Sequence, residues 1–396
     1  MKTGKATTII FILLLSYFAY SQNTLVWKFS TGSEVHSSAA ISNDNHCFGS
    51  GDNNLYALDK RTGNLRWVYK TEGAIHSTPL VSDGRVYFNS KDGNIYSVQE
   101  TTGQLLWKFQ THGEKQYDLW DYYLSSPVIN DGILYIGSGD SCIYALDAQN
   151  GRCIWKYKTN GVIHATPLFA YNTVYIGSFD GNFYAIDAKT GHLKWKFKTI
   201  DDMYFPKGEI QRGAALYQNS ILFGSRDYNI YALDAQTGTG IWNMKEIGSW
   251  IIATPLVIGN NIYFGTSDSH LFYCMDADGG TVKWKLPLNM RVYGTACQAD
   301  ENIVFGCCNV KLYCVNPENG KNISIYQTDE SKLRYSTLYN QNYEFRSDFE
   351  LYGKETKQSE KKILSLGSIL SDPKVEGNII YFGDANGNFC AIRIKE

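Results

Sequence analysis

The chain has 396 residues, 43% hydrophobic and 19% charged, with a net charge of -2. This is an ordinary globular composition on a chain long enough for a large core, and the near-neutral charge removes the electrostatic reason to expect nucleic acid or anionic lipid as the main partner. Length alone suggests about two or three domains, an expectation that gives way if the chain repeats itself.

The first stretch, MKTGKATTIIFILLLSYFAYSQ, holds two lysines, an apolar run from Ile9 to Leu15 and the small-x-small triplet Ala19-Tyr20-Ser21. That three-part layout predicts a secretory signal over residues 1–21, cleaved after Ser21, since the apolar run is short for a membrane span; an uncleaved anchor is the alternative. No Cys stands at the cleavage point to take a lipid. From Gln22 onward no apolar stretch approaches the roughly 18 residues of a span. The mature chain is therefore expected to be periplasmic or secreted, without a transmembrane segment, and monomeric. Nine cysteines in an exported chain is an odd number, so they cannot all pair within one molecule. Cys47, Cys274, Cys314 and Cys390 fall inside strand-like runs, where a small thiol fills core space.

Beyond the signal, "NLYALDKRTGNLRW" (54–67) returns as "NFYAIDAKTGHLKW" (182–195), and related versions open at Tyr96, Tyr144, Tyr231, Tyr273 and, degraded, Tyr313. The repeat's glycines stand at Gly63, Gly103, Gly151, Gly191, Gly238, Gly280 and Gly320, a period of 40 to 48 residues. A period near 40 with this content means four short strands per unit, the pattern of propeller blades. In the second unit, residues 75–81 read as the innermost strand, 86–90 as the second, 95–99 as the third and 105–111 as the outermost. Asp-Gly at 92–93 and Thr-Gly at 62–63 supply the turns between strands. Residues 25–31 match only an outermost strand, whereas the last unit supplies three strands and lacks the fourth. The two fragments complement each other. The expectation over residues 22–396 is an all-β, eight-bladed propeller of four-stranded antiparallel blades, closed by its N-terminal strand, with a long insertion at 329–367.

The interval A-x-D-x-x-x-G-x-x-x-W is intact at Ala57/Asp59/Gly63/Trp67, Ala145/Asp147/Gly151/Trp155, Ala185/Asp187/Gly191/Trp195 and Ala232/Asp234/Gly238/Trp242. A ring of sheets leaves apolar wedges between neighbours that an indole fills while its N–H seeks a carbonyl. Trp27, Trp67, Trp107, Trp155, Trp195, Trp242 and Trp284 are therefore expected to dock blade on blade, with the Asp capping the turn and the Gly reversing the chain. The motif resembles the tryptophan-docking repeat of the PQQ-type (quinoprotein) β-propellers, a superfamily holding both PQQ-dependent dehydrogenases and non-enzymatic BamB-type assembly factors. The resemblance covers residues 25–328 and 368–396. It is specific for fold and weak for function, because sites are grafted on folds.

Within that superfamily, adjacent cysteines lie against the cofactor of alcohol-oxidising members, so the resemblance makes Cys307 and Cys308, with Arg212 at the head of an inner strand, the candidate residues for PQQ held with Ca²⁺. Against it, the chain is short for such dehydrogenases, their calcium-ligand and catalytic-Asp segments find no match, and there is no C-x-x-C-H haem signature. The position opening each inner strand reads His36, His76, Leu124, His164, Gln211, Ile252, Tyr293 and Leu370, with no carboxylate among them. Histidines facing one axis suit a metal, but ordinary channel-lining histidines are the favoured reading, and no metal is expected.

Extra residues fall at 112–124, 200–210 and 329–367, all between an outermost strand and the next innermost one, and so on one face of the disc. They carry Tyr117, Trp120, Tyr122, Tyr123, Tyr204, Phe205, Tyr343 and Phe345, the aromatic profile of recognition surfaces, although the same residues would also serve to pin the loops. The stretch "YGKETKQSEKK" reads as solvated and partly disordered. The sequence thus predicts an exported, non-catalytic scaffold without a cofactor, presenting this face to a protein partner or a cell-envelope ligand, in outer-membrane protein assembly if it works as BamB-type proteins do. The alternatives are a PQQ-binding oxidoreductase or sensor, and a glycan or cell-surface binder.

Overall fold

Alternation of buried and exposed residues drives each repeat into one twisted sheet: the outermost strand Leu65–Lys70 shows one face to solvent, whereas the second strand Asn45–Gly49 is buried along its whole length. The computed structural model describes residues 24–393, and the export signal expected over residues 1–21 lies outside them. Eight four-stranded antiparallel sheets result, numbered here as blades 1 to 8 from Ala40 onward. In blade 8, Thr24–Ser30 pairs with Asn388–Arg393, setting Trp27 opposite Ala391. The N-terminal strand thereby covers what would be an open sheet edge.

Blades meet through an indole laid on a glycine. A Cβ on Gly191 would lie 2.8 Å from the Trp155 ring, and Trp27, Trp67, Trp107, Trp195, Trp242 and Trp284 stand in the same way over Gly63, Gly103, Gly151, Gly238, Gly280 and Gly320. Each of these glycines also has positive φ, so its missing side chain serves both the turn and the docked ring. The indole N–H groups of Trp67, Trp107, Trp155, Trp195, Trp242 and Trp284 donate to Glu100, Ala148, Ala188, Ala235, Ala277 and Pro317 carbonyls at 2.8 to 3.1 Å. The repeat's aspartates cap the turns: Asp59 Oδ1 accepts from the backbone N–H groups of Arg61 and Thr62, as Asp187 Oδ1 does from that of Thr190.

The innermost strands are shorter than the sequence pattern predicts, Leu80–Ser82 standing where 75–81 was expected. Upstream of it, serine hydroxyls replace the ladder: Ser77 Oγ bonds both the N–H and the C=O of Asn89, and Ser37, Ser125 and Ser371 take the amides of Gly49, Gly137 and Gly383. The next residue stitches blade to blade. The Ser38, Thr78 and Ser126 amides donate to the Thr78, Ser126 and Thr166 hydroxyls, and the Asp372 amide brings blade 8 onto Ser38 Oγ.

The charged stretch predicted to be disordered is instead part of helix α2 (Thr356–Leu364), which follows α1 (Asp329–Arg334). Ser359, Glu360 and Ile363 are buried, and Glu360 pairs with buried Arg291 at 2.9 Å. Lys354, Glu355, Lys357, Gln358, Lys361 and Lys362 stay exposed, as expected of a solvated stretch, while a partner 69 residues away draws Glu360 inward. Ile363 and Leu366 join Leu338 and Tyr339 in one core cluster with blades 6 and 7.

If indole-on-glycine docking holds the ring, Gly191→Ala must displace Trp155 and strain the turn, and Trp155→Ala should cost about 3–5 kcal/mol. Gly240→Ala, where a Cβ meets nothing within 4 Å, should stay within about 0.5 kcal/mol of the parent. Urea denaturation of the three variants checks this.

Candidate functional site

The three inserts meet over one mouth of the central channel. Tyr117 from the first donates through its hydroxyl to Glu209 of the second at 2.6 Å, and the Gln211 amide reaches the Trp120 carbonyl at 2.8 Å. Tyr122 from the first insert donates to Glu360 of the third, and the Tyr123 hydroxyl to the Leu370 carbonyl at 2.8 Å. Buried Arg226 ties them to the ring: it pairs with Asp118, bonds Gln211 at 2.7 and 3.1 Å, and lies 4.4 Å over the Trp250 ring.

Between the inserts lies a cleft of about 390 Å³ lined by Trp120, Phe205, Trp250, Tyr293 and Tyr352, with Asp118, Asp268 and Arg291 as its charged groups. Trp250 stands edge-on to both Trp120 and Phe205, at 5.7 and 5.0 Å between ring centres. The buried Trp120 Nε1 has no hydrogen-bond partner. Beside the cleft, Lys245 bridges to Asp202 of the second insert at 2.8 Å, and Ile200, Met203, Tyr204 and Ile247 stand exposed around that bridge.

The eight aromatics singled out in the sequence divide. Tyr122 and Tyr123 are buried and seal the channel, whereas Tyr117, Trp120, Phe205 and Phe345 are half-buried, Phe345 stacking on Tyr339 at 5.0 Å. Tyr204 and Tyr343 are exposed, at 71% and 56%. Inserts this long need a core of their own, and most of their aromatics supply it.

Two of the three channel histidines have carboxylate partners although the inner-strand position itself carries no acid, because the acids arrive from the connections. His164 sits between Asp121, at 2.9 Å from Nδ1, and Glu114, at 3.1 Å from Nε2. Burial alone would lower its pKa, but the Asp121 charge and the hydrogen bonds to both carboxylates outweigh this and lift it to about 9, so an imidazolium bridges two acids. His76 Nε2 lies 3.2 Å from Glu34. His36 faces neither acid at hydrogen-bond distance; burial first, then the neighbouring His76, hold it down to about 3, a neutral ring. Arg226, Arg291 and Glu360 were missed. A signal existed for two of them: Arg226 takes a position filled by Gly51, Gly139, Phe179 and Ser267 elsewhere, and Arg291 one filled by Ala74, Val162 and Trp250.

The residues that the resemblance assigns to a quinone are otherwise engaged. Cys307 and Cys308 are buried free thiols; Cys307 donates to the Met290 carbonyl at 3.4 Å, and burial pushes its thiol up to about 12. Cys308 packs in one cluster with Tyr122, Tyr123, Tyr293 and Leu370. Arg212 stacks 4.0 Å over Tyr123 and pairs with Asp372 at 2.5 Å, facing a cavity of about 320 Å³ lined by Thr78, Ser126, Thr166 and Thr254 deeper in the channel. Both thiols are thus buried against side chains of this chain, an arrangement that does not fit a quinone laid on the cysteine pair.

The family model described as outer membrane protein assembly factor BamB matches residues 16–126, 118–206 and 201–336. The chain belongs to this BamB family of PQQ-like propellers. Among solved structures, BamB from Moraxella catarrhalis superposes with a TM-score of 0.70 at 16% identity, over 94% of this chain and 100% of that one. The computationally designed Ika8 protein gives a TM-score of 0.69 at 16% identity, over 94% of this chain and 100% of its own. Quinohemoprotein alcohol dehydrogenase from Comamonas testosteroni gives 0.69 at 13% identity, over 94% of this chain and 76% of that one. At such identities these likenesses establish the fold alone. No curated protein matched the sequence. Among the described residues no helix of this BamB-family chain is long and apolar enough to cross a membrane.

The His164 bridge has a pH signature. With the pKa raised from 6.5 to about 9 on folding, its contribution is complete below pH 6.5 and is lost as pH rises through about 9. His164→Gln leaves two buried acids without their cation, so it should cost about 3–5 kcal/mol at pH 6. The gap from the parent should narrow above pH 9, as read by urea denaturation across that range.

Proposed function

We propose that this chain is a non-catalytic scaffold of the cell envelope, exported through its first residues, that holds a protein partner on the face built by the three inserts. The observation carrying this reading is the convergence of inserts from three separate blade junctions on one aromatic cleft, with Ile200, Met203, Tyr204 and Ile247 exposed beside it. Loops fixed on a rigid ring are ordinary recognition devices. Cores of protein interfaces are rich in Trp, Tyr, Phe and Arg, and contiguous exposed apolar residues mark a docking surface.

The family description supplies the process: relatives named outer membrane protein assembly factors make an envelope protein in assembly the first partner class to test. The rings around the cleft offer apolar area to a docked segment. The enzyme reading rests on fold likeness to a dehydrogenase, with the cysteine pair covered and Arg212 already paired.

A photo-cross-linking residue placed at Tyr204 or Tyr352 should capture the same envelope protein in cells. Placed at Tyr171, exposed at 53% in an inner hairpin of the opposite face, it should capture none. Equal adducts from Tyr171, or none from the first two, would contradict the assigned face. Addition of PQQ with Ca²⁺ should leave the thermal midpoint unchanged, because a tight ligand of the folded state raises it; a large rise with dye reduction by alcohols would favour an oxidoreductase.

A further inference from the structure

Where the connection from the closing strand enters blade 1, one acid and two imidazoles converge. One ligand atom from each of Glu34, His36 and His76 can be chosen so that all lie within 4.8 Å of one another. Glu34 Oε1 and His76 Nε2 are 3.2 Å apart, and the His36 and His76 rings lie 5.1 Å apart, tilted by 51°. Both histidines are 5% exposed, whereas the Glu34 side chain keeps 32% of its surface, so the cluster is walled on one side and reachable on the other. Gly51 makes room for the acid, since a Cβ there would stand 2.5 Å from its carboxyl group.

The polar atoms of this cluster are unfinished. Both nitrogens of His36 and Nδ1 of His76 are buried without a hydrogen-bond partner, a condition that native interiors rarely leave unexplained. The Tyr122 backbone carbonyl lies close enough to favour protonation of both rings, yet it meets neither in hydrogen-bond geometry. His164 is the contrast: both of its nitrogens are occupied by Asp121 and Glu114, which leaves no lone pair for a ligand.

We propose that Glu34, His36 and His76 form a binding site for a divalent cation of the zinc class. Tetrahedral zinc at about 2.0–2.1 Å from each donor places ligand atoms roughly 3.3 Å apart. The Glu34–His76 pair already stands at that spacing, and rotation of the His36 ring brings in the third donor. Two imidazoles and one carboxylate suit zinc, copper or nickel rather than calcium or magnesium, which require mainly oxygen. Three protein donors leave a fourth position for water or for a group from a bound molecule.

The test is calorimetric titration of the purified, chelator-treated chain with zinc chloride, and separately with calcium chloride. One equivalent of zinc should bind and calcium should not compete. Glu34→Gln and His36→Gln should each weaken zinc at least tenfold. His192→Gln, at an exposed turn of the opposite face, should leave it unchanged. Should the buried His36 variant fail to fold, the part-exposed Glu34 variant carries the comparison, with circular dichroism confirming its fold. Absence of zinc binding, or an equivalent that survives Glu34→Gln, overturns the site, while the partner-binding face is read independently by cross-linking.

Discussion

An indole of one blade lying on a glycine of the next is the contact on which the rest of the molecule depends. It fixes the distance between neighbouring sheets, and its N–H donates to a carbonyl of the next blade, which at Ala148, Ala188 and Ala235 also accepts the hydroxyl of Tyr87, Tyr135 or Tyr175. Repeated around the axis, it fixes the diameter of the ring and so the width of the channel. Trp27 makes the step from blade 8 to blade 1 over Gly63, which is why a strand from the far end of the chain has to complete the last sheet. The step from blade 7 to blade 8 lacks the indole, Ser324 standing opposite Cys314 where Trp284 stands opposite Cys274 in blade 6. The longest insert springs from that step. Its helix α1 sends Glu330 to Lys28 of the closing strand, and Ser368 at its end bonds the Cys308 carbonyl at 2.8 Å.

A rigid ring lets distant segments of chain meet at a fixed place. Asp118 comes from the connection into blade 3, Phe205 from that into blade 5 and Tyr352 from that into blade 8, yet all line one cleft. The same constraint carries Glu114 and Asp121 to His164 and sets Glu34 beside His76. The pairs of Glu114 and Asp121 with His164 hold the first insert against the disc, and that of Glu360 with Arg291 holds the third.

The fold was legible because the repeat writes its own geometry: turn glycines, alternating strands and the recurring Trp are local signals at fixed spacing, and the two end fragments announce the closure. The boundaries of the inner strands were not legible, because Ser37, Ser77, Ser125 and Ser371 take over backbone bonds that a strand pattern assigns to a ladder. The face on which the inserts gather was visible from where the period breaks. Its chemistry was only partly so. Tyr122 and Tyr123 look like surface aromatics in a loop and are core, and Glu360 looks like one charge among many in a polar stretch and is buried against Arg291. Such pairings join segments with no periodic relation, so they leave no local trace.

The central claim is that the ring is closed in solution by the strand Thr24–Ser30 and that the insert face is assembled on that closed ring. Amide hydrogen exchange measures this directly. The account predicts that the amides of Thr24–Ser30 that face Asn388–Arg393 exchange as slowly as those of the blade 8 strands they pair with, through the same global opening. Exchange at the rate of a free chain in that segment, with blade 8 still protected, would contradict it.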